Sequence, residues 1–192
     1  MNVTIKKIAK VQMGYSFRSR LEVSKRGEVA VIQMKDLRDD NTVGCDGLTM
    51  IDMESVKDHH LVRKGELLFR SRGLVSNSAI VLEDPGRAIV AAPLLRIRIT
   101  KSDRILPEYL NWYLSQREAQ MFLTSRAIGS AQKMISKEVL EELELFLPSL
   151  EKQKKIVELA SLSAREQALL VGLAEKRKLY ISKILLRFAN GE

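Results

Sequence analysis

Few residues in this 192-residue chain are able to do chemistry, and their spacing limits what they can do. There are two histidines and one cysteine. His59 and His60 are adjacent, outside the i, i+4 arrangement that places two metal ligands on one helix face, and they read as exposed loop residues. Cys45, within GCDG, has no second thiol for a disulfide or a Cys-based zinc site. No separated His and Asn can be assembled around it as partners of a nucleophile, so it reads as a small buried or loop residue. GCDG also fits the G-x-x-G of KH domains, but the helices that flank that loop are missing from the pattern. The chain lacks G-x-x-x-x-G-K-[ST] and G-x-G-x-x-G phosphate loops, and it has no Pro-Pro pair, Asp-x-Lys or Glu-x-Lys. The expectation is a protein with no catalytic residue, no metal and no cofactor. A minimal nuclease is the minority reading and would require magnesium-dependent cleavage.

Binding chemistry is better represented. The net charge is +8 and the pI about 9.6, which favours a polyanionic partner, nucleic acid above all. Residues 1–150 and 151–192 each carry +4, so neither part is the sole basic element. Cations cluster in loop-like stretches: Arg18, Arg20, Lys25 and Arg26; Arg63 and Lys64; Arg70 and Arg72; Arg126 and Lys133. Arg can grip guanine edges bidentately, while Lys, Ser and backbone amides hold phosphates and set the register. Ser71, Ser76, Asn77, Ser78, Ser130 and Gln132 add short hydrogen-bonding groups, and Gly73 and Gly129 would let backbone approach a duplex closely. The competing readings are a solvated charged surface and ordinary turn chemistry, which also uses Gly, Ser and Asn.

These side chains need a scaffold, and the hydrophobic pattern supplies two parts. Residues 1–148 read as a mixed α+β domain. Apolar runs at residues 28–33, 67–69, 79–82 and 94–99 suit the strands of a small sheet. Pro107 opens an amphipathic helix through PEYLNWYLSQREAQMFLTS. Ser136 starts a second helix, followed by the strand-like LELFLP. Residues 149–192 read as one long helix: Ser149 is a plausible N-cap, and residues 150–188 hold no proline and only Gly172. Those positions span roughly 58 Å at the helical rise, too long for this domain to cover. Ile156, Ala160, Ser163, Gln167, Leu170, Ala174, Arg177, Ile181, Ile184 and Phe188 form a stripe, flanked by Leu159, Leu162, Leu169, Leu173 and Tyr180, that calls for another helix. Its polar members Ser163, Gln167 and Arg177 either set register or face solvent where a pair splays. No stretch reaches the roughly 18 apolar residues of a membrane span, and MNVTIKKIAKVQ lacks a signal-peptide core, so a cytoplasmic protein is expected.

In order along the chain, IKKIAKVQMGYSFRSR, VIQMKDL, VRKGELLFRSRG, PEYLNWYLSQ and GSAQKMISKEVLEELELFLPSLEKQKKI resemble the target-recognition half of specificity subunits of type I restriction-modification systems. The ordered Gly-Ser-x-Gln, Pro-x-Leu-x-x-Gln and long helix carry the likeness, which covers essentially the whole chain. Typical members have two recognition domains and two spacers, so this chain looks like a half-subunit. The resemblance implies a non-catalytic DNA-recognition protein that reads half of a bipartite double-stranded site and docks a methyltransferase subunit and a restriction subunit. It further implies a homodimer through an antiparallel coiled coil of the 149–192 helix, with Leu159, Leu162, Leu170, Leu173, Ile181 and Ile184 at the seam and half-sites one to two helical turns apart. The DNA contacts expected are Arg18, Arg20, Arg70, Arg72, Ser130, Gln132 and Lys133. Two alternatives stay open: a truncated specificity protein that regulates or competes in assembly, and a coiled-coil adaptor that binds no DNA.

Overall fold

The computed structural model describes residues 2–17, 21–24, 26–53, 55–73, 77–129 and 133–191. Two compact units are present, Met1–Gln153 and Lys154–Glu192. The first is an α+β domain whose strands fall into three sheets. Strands β2 (Ala9–Met13), β8 (Leu94–Ile99), β5 (Leu67–Arg70) and β6 (Ser78–Ile80) form an antiparallel sheet in that order. A second sheet has β3 (Val29–Ile32) at its centre, antiparallel to β4 (Thr49–Ile51) and parallel to β7 (Ala88–Val90). The third pairs β1 (Asn2–Thr4) with β9 (Glu144–Phe146), which ties the start of the chain to the end of the domain.

Strand β3 shows why the sequence folds this way. Val29, Ala30, Val31 and Ile32 are all buried, so the strand has no polar face. Such unbroken apolar runs belong to strands covered on both sides. Ala30 and Ile32 join Leu68, Ala79, Val81, Val90 and Leu94 in one core, while Val29 and Val31 join Ile51, Ile89 and Ala91 in another. Burying a Leu or Ile side chain is worth about 1.5–3 kcal/mol; of the largest fully buried residues, Ile32, Leu67, Leu68, Phe69, Leu94, Leu95 and Ile97 lie on the strands predicted from the apolar runs, while Ile5, Ile8, Ile89, Ile105 and Leu110 lie outside them.

The predicted helix from Pro107 is two helices, α1 (Pro107–Leu114) and α2 (Arg117–Ser125). Side chains at the junction take over the free carbonyls. Ser115 and Gln116 both donate to the Trp112 carbonyl, at 2.6 and 2.8 Å, and Gln120 donates to that of Leu114 at 2.6 Å. Gln116 itself is extended and caps α2. This local competition for backbone groups is what polar residues offer against helix continuation. Helix α1 packs against β6, where Ser78 donates to Asn111 at 2.8 Å and Asn111 to the Asn41 carbonyl at 3.1 Å. Helix α3 (Lys137–Glu142) starts as expected at Ser136, whose hydroxyl accepts from the Val139 amide at 3.3 Å.

Helix α4 (Leu150–Ala189) is 40 residues long. Its Ser149 hydroxyl accepts from the Lys152 amide at 3.4 Å, the contact expected of an N-cap. The domain includes its first turn, through Gln153, because that side chain is fully buried there. Among the described residues no helix is long and apolar enough to cross a membrane.

Candidate nucleic-acid interface

Two of the polar loops predicted to touch DNA meet in the folded domain. Beyond β5, Arg72 bridges to Met134, and Met134 also bridges to Ile128. The Ile135 amide donates to the Ser71 carbonyl at 2.8 Å, and the Gly73 amide to that of Lys133 at 3.3 Å. Ile128 and Met134 exchange both backbone hydrogen bonds, at 2.9 and 2.8 Å. Ser71 is buried and donates its hydroxyl to the Pro93 carbonyl, which holds the base of this pair against the start of β8. Segments about 60 residues apart in sequence thus form one short ribbon, in which Arg72 lies opposite Met134 and Lys133 opposite Gly73, and both Arg72 and Lys133 are exposed. Gly73 and Gly129 take φ of +132° and +103°, so the turns themselves call for glycine.

The cations differ in what they already hold. Arg70 is half-buried, and its Nη2 donates to the Met34 carbonyl at 3.0 Å, linking β5 to the 3-10 turn Met34–Asp36. Arg72 is exposed; its one described contact is a guanidinium nitrogen 3.7 Å from the Met134 sulfur. Arg126 lies over the Phe122 ring at 3.9 Å, and Arg63 pairs with Asp58 at 3.1 Å. Arg18, Arg20, Ser130 and Gln132, expected to contact DNA, lie outside the described residues, as do Lys25 and Ser76.

Sequence reasoning missed a buried charge network. Arg96 and Arg98 of β8 both engage Glu66, Arg96 through a 3.7 Å contact. Arg96 also donates to the carbonyls of Leu61 and His59, at 2.6 and 2.7 Å, and to Gln12 at 2.8 Å, and Arg98 donates to Leu61 at 3.0 Å. Glu66 accepts from the Arg63 amide at 3.0 Å. Burial pulls the Arg96 pKa below its ordinary value, with Glu66 acting in the opposite direction. Removing one partner of such a group leaves an uncompensated buried charge, so the network fixes the 59–63 segment on the sheet. The signal was present in LLRIRI: two Arg at i, i+2 share a face with buried Leu94.

That segment corrects one expectation. His59 is exposed, but His60 is half-buried and stacks edge-on against Tyr15, with ring centroids 5.6 Å apart. Burial lowers the His60 pKa, and the positive charges of His59, Arg96 and Lys57 act the same way. Tyr15 is held in turn by its amide, 2.6 Å from the Val90 carbonyl, and its carbonyl, which accepts from Ala92 at 3.0 Å. It also packs tilted on Phe17, 4.9 Å away. Cys45 is partly buried against the core, as expected, and burial raises its pKa. Among the described residues no group of His, Cys, Asp or Glu is placed to hold a metal ion.

On α4, Leu159, Leu162, Leu170, Leu173 and Ile181 are 47–69% exposed, and Ile184 is partly exposed. Leu169, Tyr180 and Phe188 are exposed as well. Of all α4 side chains only Gln153 is buried.

The type I restriction modification DNA specificity domain family matches residues 1–165, and the chain belongs to that family. No curated protein matches the chain. Among solved structures, it resembles a chain of a type I R-M system studied for complex assembly and conformational transition, with TM-score 0.67 and 20% identity over 88% of this chain and 39% of that one. It resembles the HsdS subunit from Thermoanaerobacter tengcongensis, with TM-score 0.65 and 20% identity over 88% of this chain and 38% of the other. The S subunit from M. genitalium follows, with TM-score 0.55 and 12% identity over 91% and 41%. The chain therefore spans about two fifths of the length of these relatives.

Proposed function

We propose that this chain is a non-catalytic specificity component that reads one half of a bipartite duplex site, with residues 1–148 as the reading domain and 149–192 as the spacer and pairing helix. Two copies pair antiparallel through α4, with Leu159, Leu162, Leu170, Leu173, Ile181 and Ile184 at the seam, and dock a methyltransferase subunit and a restriction subunit of the same system. The observation that carries this reading is the ribbon that brings exposed Arg72, opposite Met134, and exposed Lys133, opposite Gly73, into one pair of segments, in a domain of the specificity family. Arg can read a guanine edge where Lys takes a phosphate. Arg18, Arg20, Ser130 and Gln132 complete the proposed contacts, while Arg70 supports them by anchoring Met34. A two-fold pair reads an inverted repeat.

The test is selection of bound duplexes from a randomised pool by the full chain, repeated with its methyltransferase subunit. The expected product is an inverted repeat with a fixed gap, its two halves separated by about one to two helical turns. A pool that gains no sequence preference under either condition would overturn the reading.

A further inference from the structure

Ile128 is 66% exposed on the ribbon that carries Arg72 and Lys133. An exposed isoleucine by itself is ordinary, because much of any protein surface is apolar, but this one has a defined place. Met134 pairs antiparallel with Ile128 on one side and with Arg72 on the other, so three segments lie side by side. Residues directly opposite each other in antiparallel pairs carry their side chains on the same face. Arg72, Met134 and Ile128 therefore form one row across the ribbon. The Arg72 guanidinium follows that row, with a nitrogen 3.7 Å from the Met134 sulfur. Successive residues of a strand alternate faces, so Lys133, next to Met134, belongs to the opposite face. The two backbone hydrogen bonds between Ile128 and Met134 hold this register, and a slip of one residue would turn Ile128 to the side of Lys133.

One face thus offers a forked cation, a thioether and a branched aliphatic side chain in line. Guanine shows O6 and N7, and thymine its C5-methyl, in the major groove, where Arg takes the first and apolar side chains the second. A purely apolar partner would strip water from the Arg72 guanidinium without pairing it, whereas a duplex supplies acceptors and methyl groups on one surface. Neighbouring strands lie about 4.8 Å apart, so Ile128 stands about 10 Å from Arg72 along the row, or about three base-pair steps of about 3.4 Å. We propose that Ile128 is a specificity-determining residue that reads the C5-methyl of a thymine within about three base pairs of the guanine taken by Arg72. This inference rests on the DNA-recognition reading above and adds a base to it.

The test uses the full chain, Ile128→Ala and Ile128→Val, under the condition in which the parent chain selects its duplex. Each thymine of that duplex is replaced in turn by uracil, which removes only the C5-methyl. At one thymine, within about three base pairs of the position relaxed by Arg72→Ala, the parent should lose about fourfold in affinity, the equivalent of one methyl-sized group returned to water. Ile128→Ala should bind the thymine and uracil duplexes within about twofold of each other, while Ile128→Val, which keeps a branched apolar side chain, should still prefer thymine by about threefold. Thermal unfolding of the three chains should agree, because the side chain is exposed. The uracil scan of the parent decides the matter if Ile128→Ala does not fold. A parent that binds every uracil duplex as it binds thymine, or an Ile128→Ala loss equal for both bases, overturns the inference and leaves the recognition reading intact. A parent chain with no sequence preference overturns the recognition reading, and the inference with it.

Discussion

Leucine behaves in opposite ways in the two parts of this molecule. Leu67, Leu68, Leu94 and Leu95 are completely buried in the first unit, while Leu159, Leu162, Leu170 and Leu173 are more than half exposed in the second. The strand leucines sit in unbroken apolar runs, while the helix leucines recur at roughly three and a half residues. The sheet residues find partners on neighbouring strands of the same chain. The α4 residues are spread over a single element about 60 Å long that cannot fold back on itself. An exposed apolar surface of this extent marks an interaction site, and the proposed pairing through α4 would cover it.

Leu68→Ala should cost about 2–5 kcal/mol of stability, the usual range for a buried leucine; chemical denaturation of the variant measures it. Leu170→Ala, by contrast, should change the unfolding of the first unit by no more than about 0.5 kcal/mol, and equal losses at the two positions would remove the distinction. Within the reading surface, Arg72→Ala should weaken binding to the selected duplex by about 1–3 kcal/mol and relax preference at one base pair. Lys133→Ala should weaken all duplexes alike and reduce the salt slope by about 1. Arg70→Ala should instead lower the melting temperature, because its guanidinium holds the Met34 carbonyl. Binding titrations at several salt concentrations separate these three. A smaller loss than in the core is expected at Ser136→Ala, about 1 kcal/mol for the lost cap of α3, measured by the same denaturation.

The parts that could be read from sequence are those governed by short-range rules. The apolar runs located β3, β5, β6 and β8, and the Ser136 cap, the strand after it and the uninterrupted run after Ser149 all appear where the pattern placed them. Strands β1, β4 and β7 pair with partners distant in sequence, which no local window displays. The break between α1 and α2 depends on which carbonyls Ser115 and Gln116 reach. In the candidate interface, residue type singled out Arg72 and Lys133, but only tertiary pairing shows that they share a ribbon. Arg70 has the same residue type two positions earlier and is held by Met34, which no sequence window displays. Gln153 stood out in sequence as the end of Pro-x-Leu-x-x-Gln, while its partners, the Leu106 amide and the Arg104 and Pro148 carbonyls, became visible only with the fold.

The most direct test is the solution mass of the full chain at two concentrations, with Leu170→Asp/Leu173→Asp alongside. The account predicts twice the 21.8 kDa of one chain at the higher concentration, and a single-chain mass for the double variant with the thermal unfolding of its first unit unchanged. A single-chain mass for the parent at both concentrations, or a dimer that survives both aspartates, would contradict pairing through α4.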